Sequence, residues 1–197
     1  MIIHRFADYA EQPWKNGQGV TREIARAALD DNADESAFLW RLSLADVGQS
    51  GPFSAFAGYD RTITLLAGDG FALAFSGAER HVLDKPSEPF DFDGGRDVHC
   101  TLLGGPSRDL NLMVRRDRAQ ADWRVLRGPG VHDLPAAGNA DAVIVFCLTG
   151  TVGVHDGGGG GAEQLDRWDT ALPDPGEAAT LDIGPDSAAF CATVSWR

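Results

Sequence analysis

GPFSAFAGYDRTITLLAGDGFALAF, residues 51 to 75, reads as a strand, a turn and a second strand. Thr62-Ile63-Thr64-Leu65-Leu66 is β-branched and apolar, and Phe71-Ala72-Leu73-Ala74-Phe75 places Phe, Leu and Phe on one face at period two. Between them Gly68-Asp69-Gly70 supplies residues that accept positive φ. The stretch is a half-buried hairpin. Just before it lies a loop rich in residues with special backbone or chemical roles, Gly51, Pro52, Ser54, Gly58, Asp60 and Arg61, and loops carried on a rigid sheet are where sites sit.

Upstream of the hairpin, Met1 to Tyr9 is a weakly alternating first strand, and Asn16-Gly17 in Pro13-Trp14-Lys15-Asn16-Gly17-Gln18-Gly19 signals a type I′ turn. Val20 to Ala25 then alternates, with Val20, Arg22 and Ile24 on one face and Thr21 and Glu23 on the other. One face must turn inward, so Arg22 or Glu23 is expected to be partly buried and paired. Residues 27 to 37, AALDDNADESA, read as an acidic, solvated loop. Phe38 to Ala45 resumes a strand, with Phe38, Trp40, Leu42 and Leu44 opposite Leu39, Arg41 and Ser43.

Downstream, short strands are expected at His81–Leu83, Phe90–Phe92, Val98–Leu103 and Leu110–Val114, with a sharp loop at residues 104 to 109. Charge rises and apolar spacing lapses over Arg115 to Gln120, which places a domain boundary there, giving domains 1–118 and 119–197. The second part carries Trp123–Val125, a Gly/Pro turn at residues 128 to 130, the strong strand Ala142–Leu148 and a glycine-rich hairpin tip at 157 to 161. No Lys-Ser/Thr follows that tip, so it is no phosphate loop. A faint repeat pairs Ile63–Gly68 with Val145–Gly150, and Val98–Leu102 with Ala189–Thr193.

Composition narrows the functional classes. With 17 basic and 29 acidic residues the formal charge is -12, which opposes a phosphate-backbone footprint, so no nucleic acid or anionic membrane surface is expected as a partner. The longest apolar run, Ala142–Leu148, is far short of the ~20 residues that span a bilayer, and a cytoplasmic location is expected. Cys100, Cys147 and Cys191 are widely separated in apolar strand-like segments, as buried reduced thiols are. The histidines, His4, His81, His99, His132 and His155, are scattered singly, although His81 and His99 could meet on neighbouring strands. A transition-metal site needs several imidazoles or carboxylates converging on one point, so no metal and no cofactor are expected.

Each hairpin, an apolar strand running into a Gly turn and then alternating, resembles the core of a cupin barrel. A more specific resemblance lies in five motifs in order: Trp14-Lys15-Asn16-Gly17-x-Gly19-x-Thr21-x-Glu23-Ile24, Trp40-Arg41-Leu42-Ser43, Gly51-Pro52-Phe53-Ser54, Gly58-x-Asp60-Arg61 and Gly104-Gly105-Pro106-Ser107-x-Asp109-x-Asn111-Leu112-Met113. Together these resemble the HutD/Ves family of bicupins over roughly the first 115 residues. The resemblance implies an all-β chain of two tandem cupin-like β-barrels of the RmlC-like jelly-roll kind, and an association with histidine utilisation. It further implies that the N-terminal barrel binds formylglutamate or a similar small acid in a regulatory role without catalysis. Gln18 stands where the family loop is often another Gly. A homodimer is expected by analogy with barrels of this kind.

In an acidic chain the basic residues within these motifs stand out. Lys15, Arg41 and Arg61 are candidate carboxylate donors, because guanidinium makes bidentate, charge-assisted hydrogen bonds. Arg61 alternatively pairs with Asp60 or Glu23 to order the barrel mouth. Asn16 and Ser54 are candidate polar ligand contacts, and Glu23 and Asp60 candidate binding groups or a general acid/base pair. No GxSxG elbow surrounds Ser54. Trp14 reads as core or lid packing, and Asp109 with Asn111 as ties for the Gly104-Gly105 loop. Two other readings stay open: a cupin-type isomerase or hydrolase acting on a small carboxylate through Glu23, Asp60 or a histidine-bound metal, and a structural protein whose cavity is filled by side chains.

Overall fold

A computed structural model describes residues 1–29, 37–77, 79–134, 140–157, 161–174 and 176–197. Most of the acidic stretch (30–36) and the centre of the glycine-rich tip (158–160) lie outside the described residues. Nearly all the regular structure is β. The chain begins with β1 (Ile2–His4), a 3-10 turn (Phe6–Asp8), β2 (Glu11–Pro13), β3 (Gly19–Ala28), β4 (Phe38–Val47) and β5 (Gly51–Phe53). It continues with β6 (Tyr59–Ala67), β7 (Phe71–Phe75), β8 (Arg80–Leu83), β9 (Pro89–Asp93), β10 (Val98–Leu102) and β11 (Ser107–Arg115). The remainder comprises β12 (Ala119–Arg127), β13 (Gly130–Leu134), β14 (Ala142–Thr149), β15 (Val152–Asp156), β16 (Ala162–Leu165), β17 (Thr170–Leu172), β18 (Ala179–Ile183) and β19 (Ala188–Trp196).

The expected hairpin is β6 and β7. Gly68 and Gly70 both take positive φ, and Ile63, Leu65, Phe71, Leu73 and Phe75 enter one core. That core also receives Val47, Leu83, Phe92, Val98 and Cys100, so it is built from two sheets, ordered β2-β3-β4-β11-β6-β9 and β5-β10-β7-β8. A buried Leu or Phe stabilises by roughly 1.5–3 kcal/mol, and this cluster is what holds the sheets together. The edge strands β9 and β8 each have one neighbour in their sheets. The closed barrels expected from the sequence are therefore corrected to facing open sheets, within an all-β, jelly-roll strand order.

The chain divides into one unit of residues Ala10–Arg118 and another of Met1–Tyr9 with Ala119–Arg197. The expected 1–118 and 119–197 division thus changes at its start. β1 pairs with β17, Arg5 donates to Asp169 at 2.9 Å, and Tyr9 donates to the Trp168 carbonyl at 2.9 Å. The second unit's sheets run β1-β17-β14-β19-β12 and β13-β18-β15-β16. Counting eight strands on from β4 to β11 gives β12 to β19, and the two orders coincide: β4-β11-β6-β9 matches β12-β19-β14-β17, and β5-β10-β7-β8 matches β13-β18-β15-β16. The repeat read at Ile63 and Val145 fits this order. The repeat read at Val98 and Ala189 does not, since β10 corresponds to β18 and β11 to β19.

Arg22, not Glu23, is the largely buried charge on β3, and it pairs with Asp46 and Glu11. In the turn before β3 the Gly17 N–H donates to the Trp14 carbonyl at 2.9 Å. Gly17 has φ +70°, while Asn16 is absent from the positive-φ residues, so the turn is not type I′. The three cysteines are free and buried, and burial pushes each thiol up to about 12.

Candidate functional site

Three adjacent strands of the first unit place their inward side chains in rows. On β11, Met113 lies opposite Arg41 of β4 and opposite Arg61 of β6; Asn111 lies opposite Ser43 and Ile63; Asp109 lies opposite Ala45 and Leu65. Directly opposed residues share a face, so the register sets both arginines on either side of one methionine. Above these rows is a cavity of about 590 Å³, lined by Arg41, Arg61, Asp109, Asn111, Ser43 and Met113 among others. Its rim comes from Gln12 to Asn16 and from Pro52, Phe53, Ser54 and Phe56.

Arg61 is 5% exposed. Its Nε and Nη2 both donate to Asn111 Oδ1 at 3.2 Å, and Nη1 donates to the Ser54 carbonyl at 3.4 Å. The guanidinium also lies 4.9 Å from the centre of the Phe92 ring and 5.6 Å from that of Phe56. Burial pushes its pKa down to about 10, against the attraction of Asp109 and with the repulsion of Arg41. Neither Asp60 nor Glu23 holds it. A guanidinium offers five N–H groups, and three are used here, which leaves two for a ligand.

Arg41 is the less satisfied cation. Its Nη2 reaches Met113 Sδ at 3.5 Å, a weak acceptor, and its buried Nε has no hydrogen-bond partner. It packs over Phe38 and Phe56, 4.8 and 5.2 Å from the ring centres, and desolvation lowers its pKa. Among the described residues no carboxylate forms an ion pair with it. A half-buried guanidinium held by aromatic faces is a ready partner for an anion.

Asp109 and Asn111 tie the site together, rather than the Gly104-Gly105 loop. Asn111 Nδ2 donates to Asp109 Oδ1 at 2.9 Å while its Oδ1 serves Arg61, which makes a relay from carboxylate to guanidinium. The Gly105 N–H is instead held by Asp69 at 3.0 Å. Period-two spacing from Met113 would have found the relay, since residues 109, 111 and 113 must share a face.

At the rim, Trp14 Nε1 donates to Thr21 Oγ1 at 2.7 Å and its ring meets Phe53 edge-on, so Trp14 packs as a wall. Lys15 lines the cavity. Asn16 also lines it, but its Nδ2 donates to Gln18 Oε1 at 2.9 Å and its Oδ1 accepts the Gln18 N–H at 3.1 Å. Gln18 is thus the side chain that fastens the loop. Ser54 lines the cavity and contributes its carbonyl to Arg61.

Two sequence candidates fall outside the lining. Glu23 faces Arg26 at 3.5 Å, and Asp60, 60% exposed, pairs with Arg116 at 2.7 Å. Each is engaged by a separate arginine, and their strands are not neighbours, so they form no acid/base pair. His81 and His99 do not meet either, because β7 runs between their strands, and His81 stacks on Phe90 at 3.6 Å. Among the described residues no group of three His, Cys, Asp or Glu side chains could hold a metal ion, and no helix is long and apolar enough to cross a membrane.

Comparison with known proteins agrees with the resemblance carried by the motifs. The HutD family model matches residues 6–191. An uncharacterised 21.2 kDa protein in the hutC 3′ region of Pseudomonas putida is 47% identical over 121 residues, 60% of this chain and 62% of that protein, so the match spans less than two thirds of that relative. Protein Ves of Cronobacter sakazakii is 37% identical over 155 residues, 77% of this chain and 80% of that protein. The solved structure of HutD from Pseudomonas fluorescens SBW25, in a formate condition, superposes with TM-score 0.82 at 34% identity, covering 100% of this chain and 98% of that one. A Pseudomonas aeruginosa PAO1 protein of unknown function gives 0.83 at 38%, covering 99% and 97%. Escherichia coli Ylba, at 7% identity, TM-score 0.72 and coverage of 97% and 89%, is similar in fold alone. The chain belongs to the HutD family.

Proposed function

We propose that this protein binds a small carboxylate, formylglutamate or a related intermediate of histidine breakdown, in the cavity of its first unit. It serves a regulatory or accessory role in the cytoplasm, its two units are tandem cupin-like copies, and the whole chain pairs with a second copy as a homodimer. The observation that carries the binding reading is Arg41, a desolvated cation on the cavity wall whose partners are a thioether and two aromatic rings. Arg61 adds two unused N–H groups on the same floor, and Lys15 a third positive charge at the rim. A cavity of about 590 Å³ suits a molecule of that size and speaks against an interior filled by side chains. The hutC-region relative and the HutD structure support the association with histidine utilisation.

Thermal unfolding with formylglutamate, glutamate or urocanate tests this reading. A ligand of the folded state stabilises by about 2.7 kcal/mol at a hundredfold excess over its dissociation constant. The expected result is a raised midpoint with formylglutamate in the native protein and none in Arg41→Met, which keeps the apolar stem against Phe38 and Phe56 and so keeps the fold. No shift with any of these acids, or an undiminished shift in Arg41→Met, overturns it.

A further inference from the structure

We infer that Asp109 is a specificity-determining residue of this site: its free carboxyl oxygen accepts an N–H from the ligand, selecting amino acids and N-acylamino acids over plain dicarboxylates. This rests on the carboxylate-binding reading above. The observation is an imbalance on the cavity floor. Asp109 is 0% exposed, its Oδ1 takes the Asn111 amide, and its Oδ2 is buried with no hydrogen-bond partner. Buried carboxyl oxygens are ordinarily satisfied, so an orphan on the wall of a cavity marks the place where a donor is missing. The nearest cation does not fill it, because Arg61 reaches Asp109 only through Asn111. Arg61 and Asp109 both hydrogen-bond the one Asn111 amide, at 3.2 and 2.9 Å, so a carboxylate at the guanidinium and a nitrogen at the carboxyl can belong to one small molecule.

The same placement couples binding to a proton. Around Asp109 stand Arg61 from β6, which favours its charge, and Asp46 from β4, which opposes it and is itself neutralised by Arg22 and Arg108. Cys100 of β10 faces it as a neutral thiol, and Arg41 and Lys15 share the cavity. Burial outweighs these charges and pushes the carboxyl up to about 7. A ligand N–H favours the ionised form and lowers that value in the complex, so the affinity it contributes is present above pH 7 and is lost as pH falls. A ligand carboxylate with no nitrogen favours the neutral form, so its affinity is present at low pH and falls as pH rises past about 7.

Calorimetric titration of the full chain with glutamate, formylglutamate and glutarate, between about pH 6 and pH 8, separates these slopes, since all three acids keep their own charges over that range. The expected result is an affinity for the two nitrogen-bearing acids that rises by up to tenfold per pH unit, and a flat or falling affinity for glutarate. In Asp109→Asn, which cannot ionise, the slopes coincide and the preference for nitrogen shrinks. If that variant does not fold, titration of the native protein in two buffers of different ionisation enthalpy reads the proton directly, and release with glutamate but not with glutarate is expected. Equal slopes or equal proton release for all three acids overturn the role of Asp109 while leaving the arginine site intact. Binding of none of them removes the site and this inference with it.

Discussion

The two units share eight strands in one order and differ in what they put inside. Counted from the turn glycines Gly68 and Gly150, Arg61 corresponds to Val143 and Ile63 to Val145; counted from Ser107 and Ser187, Asp109 corresponds to Ala189 and Asn111 to Cys191. In the second unit Val143, Val145, Ala189 and Cys191 join one apolar core. In the first, Ile63 stays apolar while the other three places hold a guanidinium, an amide and a carboxyl beside a cavity. A jelly roll therefore does not need these polar groups to fold, and the first unit carries them at the expense of core. Burying such a network is at best neutral for stability when every member is satisfied, and Asp109 and Arg41 are not fully satisfied. That pattern is expected of a site.

The difference between the two interiors has its largest effect when one of these charges is carried across. Ala189→Asp would place a carboxyl in the second core with Val143 and Cys191 where Arg61 and Asn111 would be needed. A loss of about 3–5 kcal/mol is expected in denaturant unfolding at neutral pH, the cost of an uncompensated buried charge. A loss under about 1 kcal/mol would mean that the second interior tolerates charge as the first does, and the contrast between them would fail.

The two units also share a turn. Gly68 and Gly150 have φ of +92° and +65°, and each turn is closed by a serine at the start of the last strand: Ser107 Oγ accepts the Gly70 N–H and Ser187 Oγ the Thr151 N–H, both at 3.0 Å. An added Cβ would come within 2.4 Å of the Pro106 carbonyl in one unit and 2.1 Å of Ser187 Oγ in the other. Gly68→Ala and Gly150→Ala are each expected to cost about 1–3 kcal/mol, read as a lowered Tm. A cost in one unit alone would show that the serine latch is structural in one copy and incidental in the other.

The shared order was only partly legible in the sequence. β6 and β7 were plain because period two, β-branching and the glycine turn are local signals. The pairing of β11 with both β4 and β6 is not local, and short alternating segments around a cysteine look alike, so Val98–Leu102 matched Ala189–Thr193 although the fold does not equate β10 with β19. The same limit governs the site. Lys15, Arg41 and Arg61 stood out as cations in an acidic chain, whereas their meeting at Met113, and the relay through Asn111 to Asp109, depend on register across three strands. Glu23 and Asp60 carried suitable chemistry, but the bulge after Glu23 and the outward phase of Asp60 turned both away.

That last residue gives the smallest and most selective test. Asp60 corresponds to Ala142, so here too the units differ by a charge, yet Asp60 is exposed and spent on Arg116, which also holds Asp93 at 2.9 Å. An exposed pair contributes about 0–1 kcal/mol, and Arg116 keeps Asp93 when Asp60 is removed. Asp60→Ala is therefore expected to change Tm little and to leave affinity for formylglutamate within about twofold by calorimetry, because its side chain is outside the cavity lining and is held by Arg116. A tenfold loss of affinity would mean that the rim charge steers or seats the ligand, and that the difference between the units reaches beyond their inward faces.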